Sequence, residues 1–145
     1  MTRVNLSKQD PAVYQQLENL SKAAESAAVA SGLDPKLIEL IRLRISQING
    51  CAFCCRLHAR DAVNAGESAD RLAVLAAWWE SQYFSDTERA ALALAEEVNE
   101  LSGAAADDYE SDLLDAAQVS AISWLAIVMG AWNRVAIRSG YRVAP

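Results

Sequence analysis

Breaker residues in this chain fall at intervals that leave room for helices and for little else. Asp10-Pro11 opens a segment that Gly32 closes, Asp34-Pro35 opens a second that ends at Asn49-Gly50, and a third continues from there to Gly66. Ser68 caps a short fourth segment carrying Leu72, Leu75, Ala76 and Trp79. Ser85 or Asp86 starts a fifth, whose Leu92, Ala95, Val98, Asn99 and Leu101 run toward Gly103, and a last one runs from Ser111 or Asp115 to Ser139 and stops at Gly140. No segment alternates apolar and polar residues over a strand length, so the pattern predicts an all-α fold. At 145 residues and 52% hydrophobic composition, the chain suffices for a single domain spanning residues 1–145 with a real core.

The second and third segments carry the chemistry. Cys51, Cys54, Cys55 and His58 lie within eight residues and include every cysteine and the one histidine of the chain. The fourteen residues after Cys51 contain neither Gly nor Pro, so Cys51 is expected to open a helix. Positions 51, 54, 55 and 58 then share one helical face, a strip of three thiols and an imidazole. A Cys-x-x-Cys pair at a helix start suits thiol-disulfide chemistry, because unpaired N–H groups and the helix dipole stabilise a thiolate. Cys54 and Cys55, adjacent on a helix, point about 100° apart and are poorly placed to bridge, whereas Cys51 and Cys54 are one turn apart.

In the preceding segment Leu37, Ile38, Ile41, Ile45 and Ile48 form an apolar face. Folding the two segments antiparallel about Asn49-Gly50 brings Glu39 to the height of His58, each about 12–15 Å from the turn at 1.5 Å rise per residue. Glu39 is the single acid between Lys36 and Arg60, among the bases Lys36, Arg42, Arg44, Arg56 and Arg60. It is therefore a candidate partner for His58 in a proton relay. The simpler reading is an ion pair between Glu39 and an arginine such as Arg42 or Arg60, with His58 only filling space.

These residues resemble the AhpD-like alkylhydroperoxidases of the carboxymuconolactone decarboxylase superfamily. The resemblance rests on Glu39, twelve intervening residues, Cys51-x-x-Cys54, three residues and His58. Three longer blocks extend it: Gln47-Ile48-Asn49-Gly50-Cys51-Ala52-Phe53-Cys54, Glu88 to Glu96, and Ala131-Trp132-Asn133-Arg134-Val135-Ala136. The resemblance implies an AhpD-like helical fold, assembly into homotrimers or homohexamers, and reduction of a hydroperoxide through the cysteine pair. It further implies that Cys54 attacks the peroxide and becomes a sulfenic acid and that Cys51 condenses with it to a disulfide. Glu39 and His58 would serve the proton transfers, and a lipoylated or thioredoxin-like protein would supply the thiol reductant. Two features depart from the family pattern. Ala52-Phe53 stands between the cysteines, where the better-known peroxidases carry a histidine before the second one, and Cys55 is an additional thiol, read here as a small buried apolar residue.

Alternative chemistries are a zinc-type site drawing on Cys51, Cys54, His58 and Glu39, or a decarboxylase-like activity on a lactone. The redox reading needs no cofactor and no metal. With a net charge of −6, a pI near 4.7 and no basic patch beyond the cysteine region, nucleic acid is not an expected partner. The most apolar stretch, Ser120 to Trp132, falls short of the roughly 20 residues of a membrane span and is expected to be a core or interface helix. No apolar targeting segment opens the chain, and a cytoplasmic setting is expected. Trp124 and Trp132 are read as core, with a substrate-pocket role as the alternative, Trp78 and Trp79 as facing different ways, and the acids between Asp86 and Asp115 as a solvated face.

Overall fold

The computed structural model describes residues 2–101 and 112–145. Its elements, in chain order, are α1 (Leu6–Gln9), α2 (Pro11–Ala30), α3 (Pro35–Ile48), α4 (Ala52–Asn64), α5 (Ala69–Val74) with a 3₁₀ turn (Leu75–Ala77), α6 (Asp86–Glu100) and α7 (Ala116–Ser139). The all-α expectation holds, with no strand among the described residues. The start at Asp10-Pro11 holds through the proline in the first turn, without a side-chain cap; at the later starts side chains satisfy free N–H groups of the first turn. Asp34 accepts from Lys36 N and Ser68 from Arg71 N, while Ser85 with Glu88, and Asp115 with Gln118, close reciprocal capping boxes. Among the candidate stops, Gly32, Gly66 and Gly140 follow their helices with positive φ.

Helix α3 is the centre of the molecule. Leu40, Ile41 and Ile45 are fully buried, and the helix packs against α2, α4, α6 and α7. Each such side chain contributes about 1.5–3 kcal/mol by leaving water. At the C-terminal end of α3 the contacts turn polar. The Asn49 carboxamide donates to Asn99 Oδ1 of α6 at 2.8 Å and to Asn133 Oδ1 of α7 at 2.9 Å, and accepts from Asn99 Nδ2 at 3.1 Å. Asn133 donates in turn to Ser46 Oγ at 3.1 Å, and that hydroxyl donates to the Arg42 carbonyl at 2.8 Å. Four side chains from three helices thus satisfy one another beneath the Asn49-Gly50 turn.

Several boundaries differ from expectation. The turn of α1, capped by Asn5, precedes the first expected helix. The fourth segment gives up α-helical geometry at Val74, and the carbonyls of Trp78, Trp79 and Ser81 accept from the Arg89 guanidinium of α6 at 3.1, 2.6 and 2.9 Å. Those long-range bonds replace the ones a continuing helix would make. Helix α6 ends at Leu101 in a left-handed conformation; Gly103 and Ser111, the expected stop and alternative start, lie outside the described residues. Asp107, Asp108 and Glu110 lie there too. Of the described acids in that block, Glu88 is bound to Arg71 and Glu96 to Arg44 and Trp78 Nε1, so the solvated-face reading fails for both.

The apolar stretch of the last helix is longer than the thirteen residues read from the sequence. Helix α7 is long and apolar enough to cross a membrane by length and composition, but half of that window is buried inside the protein, against α2, α3 and α6. Trp78 is buried and Trp79 exposed, as their adjacency required. Trp124 is 46% exposed, contrary to the core reading.

Asn133→Ala removes the link between Ser46 and Asn49 and leaves both short of a partner in a buried setting. The expected loss is about 1–3 kcal/mol, seen as a lower urea midpoint at unchanged denaturant slope. An unchanged midpoint would mean that the network contributes nothing to stability.

Candidate active site

Cys51 stands at the helix boundary, one position outside its expected place. Its backbone is extended, α4 begins at Ala52, and its Sγ acts as the N-cap by accepting from Cys54 N at 3.3 Å. Cys51 and Cys54 are joined as a disulfide with their Cα atoms 5.3 Å apart, within the usual span for such a bond. Both are almost wholly buried. Cys55 does not take part. It is half-buried against the core rather than fully buried, and burial pushes its thiol above the ordinary value.

His58 follows one turn after Cys54 on the same face of α4, and the antiparallel fold about Asn49-Gly50 delivers it to Glu39. The His58 Nδ1 to Glu39 Oε2 distance is 2.8 Å. The ion-pair reading of Glu39 also holds, through Arg42 and not Arg60: Arg42 donates to Glu39 Oε1 at 2.7 Å and reaches Glu25 of α2 at 3.1 Å. Glu39 therefore serves both partners, one through each oxygen. Burial pushes the Glu39 carboxyl up, but the hydrogen bond with His58 and the Arg42 charge together outweigh it and hold the group below its ordinary value. With Nδ1 committed to Glu39, Nε2 is the ring nitrogen left to exchange a proton with anything beside it.

A cavity of about 410 Å³ opens onto this arrangement. Cys54, His58 and Arg42 line it together with the apolar side chains of Leu57, Leu125, Val128 and Met129. Aromatic rings complete the wall: Tyr14 of α2 meets Trp132 edge to face at 5.2 Å, and Tyr141 meets Phe53 likewise at 5.1 Å. Trp132, packed against the core, is thus also a wall of the cavity, the alternative its place in the sequence had left open. Of the four residues singled out in the sequence, Cys54 and His58 face the cavity, Glu39 stands behind His58, and Cys51 lies across the disulfide. Tyr14, Glu25, Tyr141 and the double role of Arg42 were not foreseen. They come from separate helices and the C-terminal tail, and local spacing carries no signal for such a meeting.

Glu39, His58 and Asp61 place ligand atoms within 4.8 Å of one another. The ring nitrogen they share is the one already bound to Glu39, and Cys51 and Cys54, bonded to each other, offer no thiolate in this state.

A family model described as the carboxymuconolactone decarboxylase family matches residues 11–97, which contain every side chain of this site except the α7 and C-terminal walls. The chain belongs to the carboxymuconolactone decarboxylase family. Its relatives include the uncharacterized protein YdfG of Bacillus subtilis (strain 168), 36% identical over 110 residues that make up 73% of this chain and 75% of that protein. The uncharacterized protein YnjA of Escherichia coli (strain K12) is 31% identical over 103 residues, 71% of this chain and 57% of that one. A crystal structure of a protein of unknown function from Agrobacterium tumefaciens, put forward as an antioxidant defence protein AhpD, superimposes with a TM-score of 0.88 at 29% identity, covering 100% of this chain and 99% of that one. This member of the family thus has the AhpD-like fold expected of it.

Mass mapping of the oxidised protein should find the Cys51–Cys54 bridge and an unpaired Cys55. Alkylation of Cys55 should require a pH above the ordinary thiol range, because burial disfavours its thiolate. A bridge that includes Cys55 would overturn this assignment.

Proposed function

We propose that the protein, acting as a single domain, is a thiol-dependent hydroperoxide reductase in which Cys54 is the attacking sulfur, Cys51 the resolving one, and Glu39 and His58 a proton relay. One observation carries the reading: a redox-competent cysteine and an imidazole held through its far nitrogen by a carboxylate line the same largely apolar cavity. In the reduced protein, the Cys54 thiolate attacks the terminal oxygen of a hydroperoxide, ROOH. The O–O bond breaks, Cys54 becomes a sulfenic acid, and the departing alkoxide takes a proton from His58 to leave as ROH. Cys51 then attacks the Cys54 sulfur, the S–O bond breaks, and water leaves as the disulfide closes. A dithiol restores both thiols. A lipoylated or thioredoxin-like protein is the proposed carrier of that dithiol, in the cytoplasm, where such thiols are kept reduced.

The environment supports each role. The imidazole in the same cavity favours the Cys54 thiolate, while the first-turn N–H of Cys54 lies on the sulfur of Cys51. Glu39, held ionised by Arg42 and His58, stabilises the imidazolium formed when His58 carries a proton. Since Phe53 occupies the position before Cys54, His58 is the one imidazole that can serve the site. The apolar and aromatic wall suits an organic group R on the peroxide.

Glu39→Gln and His58→Ala should each slow single-turnover oxidation of the reduced protein by cumene hydroperoxide about 10²–10⁴-fold. The double variant should lose little more than either single one, because both residues serve one proton path. Wild-type rates in both single variants, followed by stopped-flow fluorescence, would eliminate the relay. A reduced wild-type protein that reacts no faster than a free thiol would eliminate the peroxidase reading itself.

Self-association belongs to the same proposal. Helix α7 is apolar on more than one face over its middle turns, since Trp124 and Ile127 are exposed while Ile122, Leu125 and Met129 are buried, and a second apolar face is normally covered. Light scattering should give the mass of a trimer or hexamer, and Trp124→Glu should lower it. A wild-type monomer at micromolar concentration would refute the assembly.

A further inference from the structure

A second, smaller cavity of about 190 Å³ reaches the other half of the disulfide. It is lined by Gly50, Cys51 and Ala52 at the start of α4, by Ile137 and Gly140 at the end of α7, and by Arg3. Phe53, Ala136 and Tyr141 line both cavities, so the edge-to-face pair of Phe53 and Tyr141 is the partition between them. Cys54 opens to the larger cavity and Cys51 to the smaller one. From this division we infer that oxidant and reductant use opposite sides of the disulfide: the hydroperoxide reaches Cys54 through the larger cavity, and the reducing thiolate reaches Cys51 through the smaller. The inference rests on the peroxidase reading for its first half only.

Charge separates the two routes in the same sense. A thiol attacks a disulfide as its thiolate, which is an anion. Glu18 and Glu25 line the larger cavity and Glu39 lies just behind it, three carboxylates against the single guanidinium of Arg42, which two of them already engage. An anionic sulfur is repelled there, whereas a neutral hydroperoxide is not. The smaller cavity has no carboxylate in its lining. It offers Arg3 as its one charged side chain, with the positive end of α4 set against the negative end of α7. Arg3 lies over Gly140, where a Cβ would come within 2.9 Å of the guanidinium, so the absence of a side chain at 140 lets the cation sit at the rim.

Leaving-group chemistry agrees with the geometry. Attack at Cys51 expels Cys54, the sulfur that shares its cavity with His58, and a thiolate that an adjacent imidazole stabilises leaves faster. In the balanced step, the reductant thiolate forms a bond to Cys51 Sγ as the Cys51–Cys54 bond breaks, and Cys54 departs with the electron pair. The second thiol of the dithiol then displaces Cys51, which takes up a proton, and the dithiol leaves as a disulfide two electrons poorer. Cys54 is thereby returned as a thiolate facing the hydroperoxide cavity. Cys51 itself is nearly inaccessible from bulk water, so the attacking sulfur must descend into the cavity.

Two positions at which a larger side chain fits at the surface separate the routes. Ile137, 47% exposed, lines only the smaller cavity, and Leu57, 43% exposed, only the larger. Stopped-flow fluorescence would follow reduction of the oxidised protein by dithiothreitol and, separately, oxidation of the reduced protein by cumene hydroperoxide. Ile137→Trp should slow reduction about tenfold or more by denying access to the sulfur, and leave oxidation within about twofold. Leu57→Trp should do the reverse. As a readout free of variants, brief reaction of the oxidised wild type with 2-mercaptoethanol, quenched by an alkylating agent, should place the mercaptoethanol adduct on Cys51 and the alkyl group on Cys54. An adduct on Cys54, or reduction unaffected by Ile137→Trp but slowed by Leu57→Trp, would overturn the inference. Should the protein fail to react with hydroperoxide while the adduct still maps to Cys51, the peroxidase reading falls and the reductant side stands.

Discussion

The carboxamide of Asn49 is the joint on which the rest of the structure turns. It sits at the end of α3, immediately before the turn into α4, and is bound on both sides by side chains from α6 and α7. The three-residue link Asn49-Gly50-Cys51 between antiparallel helices leaves freedom in how one rotates against the other, and apolar packing alone tolerates small slips in that angle. Amides bonded across a partly buried joint, with Asn133 wholly buried, tolerate them poorly, because a displaced partner leaves a polar group unpaired at a cost of about 1–3 kcal/mol. The network therefore fixes where Cys51 begins and which way the face of Cys54 and His58 looks.

From that joint the polar chain passes up the site. Glu39 binds His58 on one oxygen and Arg42 on the other, and Arg42 extends to Glu25 on α2. With two such partners this partly buried carboxyl is held below its ordinary value although its desolvation pushes the other way. The two readings of Glu39, relay member and ion-pair partner, are thus one arrangement. The arginine keeps the charge in place, and the imidazole is where the charge acts. Helix α2 is drawn over the site by the same contacts and contributes Tyr14 to the cavity wall.

Much of this was legible in the sequence, and the parts that were share a reason. Caps and breakers act within four residues, so the starts of α3, α5, α6 and α7 follow from Asp34, Ser68, Ser85 and Asp115 alone. The meeting of Glu39 and His58 follows from helical rise on either side of a tight turn. Where competing partners came from far along the chain, the sequence failed. Arg89 redirects the carbonyls after α5, and Arg71 and Arg44 capture acids that look solvated. Cys55 was placed on the reactive strip by periodicity and read as buried by its residue type; it is half-buried and apart from the cavity.

By itself, then, the sequence determined the helices, the pairing of α3 with α4, and which side chains hold redox and acid-base chemistry. Each of these depends on interactions within a helix or across one short turn, whose geometry backbone rise and periodicity set. Only the tertiary structure decided that Cys54 and Cys51 open to different cavities, that Arg42 shares Glu39 with His58, and that the larger cavity is apolar but rimmed with carboxylates. Those properties arise where α2, α4, α7 and the C-terminal tail converge. Residues more than a hundred positions apart meet there through packing of whole helices, which no local spacing encodes.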